Sequence, residues 1–260
     1  MNVSTSVSPP SGPLANKVAL VLGASRGIGA ATARALARAG ASVVLASRDA
    51  SALEAAAAHL RWEGAQAIAV PTDALDDQQL ARAVHMAVET FGGLDIAFNN
   101  AGSGHMPAPL AELTTKDIDD AIGINLRGIL VAMKFELAAM LARGGGAIVN
   151  MSSTAGVQGV RGMAAYSATK HAVVGATRSA ALDYAAKGIR VNVVAPGPIL
   201  TDRLKALPEE RRAPIERAVP MGRVGAEEEV ASTVVWLASD AASFVTGAVI
   251  PIDGGRTAGA

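Results

Sequence analysis

Short runs of apolar residues alternate with longer amphipathic segments along nearly the whole chain. The apolar runs predict strands at 17–22, 42–46, 66–70, 94–98, 147–151, 190–194 and 248–252. The amphipathic segments predict helices at 28–39, 50–62, 77–90, about 115–142, 165–186 and 227–238. Nearly continuous apolar strands separated by helices are typical of a parallel sheet that is covered by helices on both faces. We therefore predict an α/β fold with a seven-stranded, doubly wound parallel sheet.

Two segments depart from this alternation. The start of the chain is rich in Ser and Pro and has neither the basic nor the apolar region of a signal peptide, which predicts a disordered tail at 1–14 and a single domain at 15–260. Residues 201–223 are charged and interrupted by prolines. Because insertions of this kind usually form lids or substrate loops, we expect this segment to border a substrate.

Composition excludes several classes of function. The 23 basic residues balance the 23 acidic ones, so nothing indicates a nucleic acid or an anionic membrane as partner. Cysteine is absent, which excludes disulfides and thiolate metal sites, and the four histidines are dispersed, so we expect no metal. No apolar run is long enough to span a membrane, and we expect a cytoplasmic protein.

The strongest chemical signal is a Tyr–Lys pair on one predicted helix. Tyr166 and Lys170 are four residues apart and therefore share a helix face, and Ser153 lies thirteen residues before the tyrosine. A nearby ammonium favours the phenolate, so we expect Lys170 to lower the pKa of Tyr166 from its usual value near ~10. This set of groups is suited to moving a proton to or from a carbonyl or alcohol oxygen. Tyr184, the only other tyrosine, has no matching serine and is interpreted as a packing residue.

A glycine cluster follows the first predicted strand. Gly23, Gly27 and Gly29 have the spacing G-x-x-x-G-x-G and open the first helix. Glycines allow the backbone to turn sharply and to approach a pyrophosphate, while the helix N-terminus supplies amide donors. Ordinary tight turns also use glycines, but the position between a strand and a helix favours a dinucleotide site.

The end of the second strand indicates which dinucleotide is bound. An acidic residue there would favour the ribose 2′-hydroxyl of NAD, whereas a basic one suits the 2′-phosphate of NADP. The strand ends with Ser47 and Arg48, and Arg26 in the glycine loop could reach the same phosphate. Asp49 is the contrary observation, and we interpret it as the N-cap of the next helix. We predict NADP(H), with NAD(H) as the alternative.

Taken together, these motifs show that residues 17–255 resemble the classical short-chain dehydrogenases/reductases, in particular carbonyl reductases and 3-oxoacyl-(acyl carrier protein) reductases. The resemblance implies a Rossmann-type fold and NAD(P)-dependent alcohol dehydrogenase or ketoreductase activity. It also implies a catalytic tetrad. Tyr166 would be the general acid–base, Ser153 would polarise the substrate oxygen, Lys170 would hold the nicotinamide ribose, and Asn125 would anchor a water that relays protons.

The resemblance further implies a set of cofactor-binding residues. Asp73 and the Ala74 amide would bind the adenine amino group. Asn99 and the backbone around Ala101 and Gly102 would shape the adenosine side of the groove. Ile199 and Thr201 would hold the nicotinamide carboxamide. The full predicted set is Gly23, Ser25, Arg26, Gly27, Ile28, Gly29, Ser47, Arg48, Asp73, Ala74, Asn100, Ala101, Gly102, Tyr166, Lys170, Pro196, Gly197, Ile199 and Thr201.

The substrate is less well defined than the reaction. The segments that would line the pocket contribute a mainly apolar set, which favours a hydrophobic ketone or a β-ketoacyl substrate: Met106, Val157, Val160, Met163, Leu200, Leu204 and Leu207. Two alternatives remain, an NAD-dependent dehydrogenase of a polyol or cyclic diol and a catalytically silent dinucleotide-binding sensor. The resemblance also implies a homotetramer.

Overall fold

The computed structural model describes residues 12–259 and contains one sheet of seven parallel strands. The strands are β1 (Val18–Leu22), β2 (Ser42–Ser47), β3 (Ala67–Pro71), β4 (Ile96–Asn99), β5 (Gly146–Met151), β6 (Ile189–Pro196) and β7 (Val249–Ile252). Their order across the sheet is β3-β2-β1-β4-β5-β6-β7. The predicted fold class is therefore confirmed.

Helices cover both faces of this sheet. Those in the described part of the chain are α1 (Gly27–Arg38), α2 (Ala50–Trp62), α3 (Asp77–Phe91), α4 (Thr115–Ile122), α5 (Gly128–Arg143), α6 (Ala164–Tyr184), α7 (Asp202–Lys205), α8 (Glu209–Arg217) and α9 (Glu227–Ala238). Alternate side chains of β1 enter opposite cores. Val21 packs on the side of α1, α2 and α9, whereas Leu20 packs on the side of α3, α5 and α6. Burial on both faces explains why the strands are apolar throughout.

The predicted element bounds hold with a few corrections. The helix predicted over 115–142 is interrupted by a π turn at Gly123–Arg127, which the sequence pattern does not predict. The segment 201–223 contains two short helices, α7 and α8. Residues 1–11 of the predicted tail lie outside the described residues, but its extension to residue 14 is wrong, because Leu14 is buried in the core and its amide donates to the Ala39 carbonyl.

The strand order places a crevice beside β1. Chain connections from β1 lead to β2 and β3 on one side, and β4 lies on the other side of β1, so the direction of winding reverses between β1 and β4. In doubly wound sheets, ligands bind at the carboxyl ends of the strands at this reversal. No helix within residues 12–259 is long and apolar enough to cross a membrane.

Candidate active site

A cleft of about 560 Å³ opens at the carboxyl ends of β1 to β4. Twelve of the predicted cofactor-binding residues line it: Gly23, Ser25, Arg26, Ile28, Ser47, Arg48, Asp73, Ala74, Asn100, Ala101, Gly102 and Thr201. Residues that the sequence reading did not assign to a cofactor also line it, and they include Asp49, Thr72, Ser103 and Ile124. The structure therefore brings the predicted dinucleotide residues of five separate segments to one surface.

The glycine loop fits a phosphate group. Gly23 and Gly27 have φ angles of +76° and +61°, which side-chain-bearing residues rarely adopt. A Cβ on Gly29 would lie 2.1 Å from the Gly23 carbonyl oxygen, so only glycine permits this close passage of the backbone. The N-cap residue of α1, Arg26, makes no capping hydrogen bond through its side chain. The first amides of α1 are consequently left without a side-chain acceptor, and an anion could take that place.

The end of β2 presents the groups that would discriminate between NADP and NAD. Arg26 and Arg48 are exposed on the lining of the cleft, which Ser47 also lines, and the buried Ser47 hydroxyl has no hydrogen-bond partner. Asp49 accepts a hydrogen bond of 3.0 Å from the Ala52 amide and caps α2. Its predicted role as an N-cap is thus confirmed, although it also borders the cleft.

The two asparagines after β4 have different environments. The Asn100 side chain lies on the cleft and donates to the Gly23 carbonyl, 3.0 Å away, which ties the β4 end to the glycine loop. Asn99 is fully buried, and its amide donates to Glu136 (2.9 Å) and Asn150 (3.0 Å). The expectation that Asn99 shapes the adenosine side is therefore wrong for its side chain, which points into the core.

Glu136 on α5 is an unusual member of this core. It is fully buried, one of its oxygens accepts only from Asn99, and the other has no partner. Burial raises the pKa of this carboxyl to about 7, and the Asn99 hydrogen bond opposes that rise. Asn150 continues the network to the Thr177 hydroxyl on α6, 2.9 Å away. Asn99 is the last residue of β4, and Asn150 is the last residue but one of β5. The network therefore lies in the core next to the carboxyl ends of these strands, where the site is.

The structure brings Ser153, Tyr166 and Lys170 together. Ser153 follows β5, and its hydroxyl accepts from the Ala155 amide at 3.2 Å. Tyr166 and Lys170 lie on α6, and the Lys170 Nζ atom is 5.6 Å from the centre of the tyrosine ring. Lys170 is buried, and its ammonium donates to the Met151 carbonyl at 2.9 Å. The β5 end and α6 together fix all three side chains.

The electrostatics of this group differ from the expectation. Burial raises the pKa of the Tyr166 phenol, and the Ser153 hydroxyl and the charge of Arg203 oppose this rise. Burial also lowers the pKa of Lys170 to about 8. The predicted lowering of the Tyr166 pKa by Lys170 is wrong for this structure, because desolvation of the phenol outweighs the opposing effects and the Lys170 ammonium is directed to Met151.

Asn125 connects the catalytic group to the cleft. It lies in the π turn between α4 and α5, a feature that often occurs at functional sites. Its side chain is buried, accepts from the Ser103 amide (3.0 Å) and donates to the Ser103 carbonyl (2.8 Å). A Cβ on Gly102 would lie 2.7 Å from the Asn125 oxygen and 3.4 Å from the Lys170 Nζ. The loop after β4 is therefore held between these two side chains.

The predicted nicotinamide segment lies only partly on the cleft. Thr201 lines it, and its methyl group would be 3.9 Å from a Cβ on Gly27. Ile199 is buried and pairs with Gly225 in an isolated β-bridge, while Pro196 and Gly197 lie at and just after the end of β6. Their assignment to the carboxamide stays a prediction. No cluster of acidic and histidine side chains within residues 12–259 could hold a metal ion.

Comparison with known proteins identifies the family. Residues 23–257 match the family model described as enoyl-(acyl carrier protein) reductase. The chain is 46% identical to cis-4-hydroxycyclohexanecarboxylate dehydrogenase of Sinomonas cyclohexanicum, over 94% of this chain and 98% of that protein. It is 42% identical to cyclohexanol dehydrogenase of Acinetobacter sp. (strain SE19), over 93% and 95% of the two chains.

Solved structures agree with these similarities. The crystal structure of levodione reductase superposes with a TM-score of 0.91 at 35% identity, and the match covers 95% of this chain and all of that one. Related dehydrogenases and reductases are thus similar to this chain over nearly its whole length, in sequence and in fold. The chain therefore belongs to the classical short-chain dehydrogenase/reductase family and is an NAD(P)(H)-dependent alcohol dehydrogenase or ketoreductase.

Proposed function

We propose that the protein interconverts a cyclic secondary alcohol and its ketone with NADP(H) as the cofactor. The observation that supports the chemistry best is the convergence of Ser153, Tyr166 and Lys170 at the edge of the cleft. A nicotinamide held there would supply or accept the hydride. The residues of this chain would bind the substrate oxygen and exchange its proton.

The pKa directions suit Tyr166 to act as a proton donor. Because burial raises the pKa of the phenol, it stays protonated at neutral pH and can donate to an oxygen on which negative charge develops. The Ser153 hydroxyl would donate a second hydrogen bond to that oxygen. The Lys170 ammonium, with its pKa lowered to about 8, would stay mainly charged at neutral pH and hold the ribose. Asn125 would keep the Gly102–Ser103 backbone in place and anchor the proton-relay water.

The relatives and the apolar pocket segments favour a cyclic substrate. Two of the relatives act, by name, on cyclohexanol and on a hydroxycyclohexane carboxylate. The segments expected at the substrate mouth present apolar side chains that are partly or largely exposed, including Met106 at 73% and Val157 at 41%. A compact alicyclic ring buries its apolar surface well against such groups. We therefore favour a cyclohexanol-like substrate over a free sugar.

The charges at the end of β2 support NADP(H). Arg26 and Arg48 line the cleft together with Ser47, and guanidinium binds phosphate through paired, charge-assisted hydrogen bonds. The second candidate is use of NAD(H). It is favoured by Asp49, whose carboxylate borders the cleft, but one Asp49 oxygen is already engaged as the cap of α2.

Replacement of Arg48 by Ala is expected to reduce kcat/KM for NADPH on the order of 10- to 100-fold, with little change for NADH, because one charge-assisted contact with the 2′-phosphate is lost. Initial rates with cyclohexanone, and dissociation constants for both reduced cofactors, measure this effect. Arg82→Ala, which removes an exposed charge from α3, is the matched control. A wild-type preference for NADH, unchanged by Arg48→Ala, would select the second candidate.

We also propose that the chain forms a homotetramer. The outward face of α6 bears small residues, and a Cβ on Gly175 would meet nothing within 4 Å. Leu130 and Leu141 on α5 and Leu182 on α6 are exposed apolar side chains at 43%, 43% and 85%. Close packing of these helices against another copy would bury them.

Light scattering is expected to give a mass of about four times 26.2 kDa for the wild type. Gly175→Arg is expected to give smaller species, because its side chain would occupy the face on which another helix must pack. Arg217→Gly, the opposite substitution at the exposed end of α8, is the control on a different surface and should leave the mass unchanged. A monomeric wild type at micromolar concentration would reject the proposal.

A further inference from the structure

Arg203 lies at the edge of the catalytic group, on the short helix α7. Its Nη1 atom is 3.8 Å from the position of a Cβ on Gly104, and the Met163 methyl group is 3.3 Å from the same point. Met163 immediately precedes α6, three residues before Tyr166. At the other end of the same loop, a Cβ on Gly102 would lie 3.4 Å from the Lys170 Nζ. The loop 102–104 therefore extends from the lysine to the guanidinium.

This guanidinium has no acidic partner within 4 Å among residues 12–259, whereas Lys205 and Arg223 in the same segment are paired with acidic residues. Lys205 on the same helix lies 3.6 Å from Asp202, and Arg223 at the end of the segment 201–223 binds Glu229 through both of its terminal nitrogens. The charge of Arg203 reaches the active site, since it favours the ionised form of Tyr166 and so opposes the rise in the pKa of that phenol.

The side chains around Arg203 indicate what kind of group its charge could bind. The substrate segments around it contribute mainly apolar side chains, among them Met163 and Leu204. A cation beside an apolar pocket can bind one anionic group at the end of a substrate that is otherwise apolar. Guanidinium matches the planar, two-oxygen geometry of a carboxylate.

We propose that Arg203 binds a carboxylate carried by the substrate ring, so that the enzyme prefers cyclic hydroxy acids and oxo acids to neutral cyclic alcohols. This inference rests on the proposed function. The carboxylate itself is unchanged by the reaction. Oxidation of the hydroxy acid would move a hydride from carbon to the oxidised dinucleotide and a proton from oxygen to the Tyr166 phenolate, which gives the oxo acid. Reduction would move both back, with the protonated phenol of Tyr166 as the donor.

The test compares 4-hydroxycyclohexanecarboxylate, in both its cis and trans forms, with the neutral 4-hydroxycyclohexanecarboxamide and with cyclohexanol. For the acid, Arg203→Met is expected to raise KM on the order of 10- to 100-fold, because a charge-assisted contact is lost. The KM values of Arg203→Met for the amide and for cyclohexanol should stay within about twofold of the wild-type values. Arg203→Lys, which keeps the charge but not the planar guanidinium group, should give an intermediate KM for the acid. Arg82→Met, an equal change of charge on the exposed surface of α3, is the control.

Inhibition supplies a readout that does not need turnover of the acid. Cyclohexanecarboxylate should inhibit oxidation of cyclohexanol by the wild type and by Arg82→Met, and Arg203→Met should lose most of this inhibition. Circular dichroism and thermal unfolding would show that the variants are folded. Turnover of cyclohexanol with no preference for the acid, and with no change in Arg203→Met, would overturn the role of Arg203 alone. Absence of turnover with all three substrates would overturn the proposed function instead.

Discussion

Replacement of Tyr166 by Phe is expected to lower kcat by about 10²- to 10⁴-fold while the dinucleotide still binds, because the variant lacks only the phenolic hydroxyl group. The phenol is buried beside Ser153, and its raised pKa keeps it in the donor form at neutral pH. Phe has the same ring and should keep the packing of α6. Stopped-flow rates for ketone reduction and fluorescence titration with NADPH would separate the loss of chemistry from any loss of binding.

Tyr184→Phe is the matched control for this experiment. Tyr184 also lies on α6 with a lysine ammonium over its ring, since the Lys187 Nζ is 4.7 Å from the ring centre. It ends the helix away from the cleft, so its variant should keep wild-type kcat. If Tyr166→Phe kept more than about a tenth of the wild-type rate, a general acid–base role for Tyr166 would be untenable, since such a role contributes at least about 100-fold.

The repeating pattern of the chain was enough to predict the fold, because the apolar runs of the five inner strands are largely buried on both faces of one sheet. The same pattern was enough to predict most of the residues that line the cleft, because it also predicts where each strand ends. Gly23, Ser47 and Asn100 each follow or end a parallel strand, and the carboxyl ends of neighbouring parallel strands must meet at one edge. Local sequence therefore determined their placement.

Features that depend on distant contacts could not be predicted in the same way. The direction of the Tyr166 pKa depends on how completely the surrounding chain desolvates the phenol, and helical spacing gives no information on this. The position of Arg203 depends on how α7 packs against the loop after β4. The π turn around Asn125 also has no periodic signal, although the flanking Gly123 and Gly128 indicate a place where the helix could deform. Glu136 did leave a signal, a lone acid in an apolar stretch of helix.

The titration of Glu136 is expected to be the main cause of a change in the free energy of unfolding with pH. Burial raises the pKa of its carboxyl to about 7 in the folded protein, whereas in the unfolded chain this carboxyl should have its ordinary pKa of 4.5. Below 4.5 both states are protonated. As the pH rises from 4.5 to 7, the unfolded state loses this proton first, so the folded state is progressively destabilised. The difference amounts to about 3 kcal/mol, since one pKa unit corresponds to about 1.4 kcal/mol.

Glu136→Gln should remove this pH dependence, because the amide is neutral at every pH. The new side chain can accept from the Asn99 amide and can donate to the Asn99 side-chain oxygen, which has no partner in the wild type. Urea unfolding at matched protein concentration between pH 4.5 and 8, followed by circular dichroism, would give the free energy of unfolding for both proteins. The wild type should lose about 3 kcal/mol relative to Glu136→Gln across this range. Glu228→Gln, an exposed change on α9, should follow the wild type throughout. Parallel curves for wild type and Glu136→Gln would mean that the buried carboxyl does not titrate in this range, and that water or a conformational change stabilises its charge within the core.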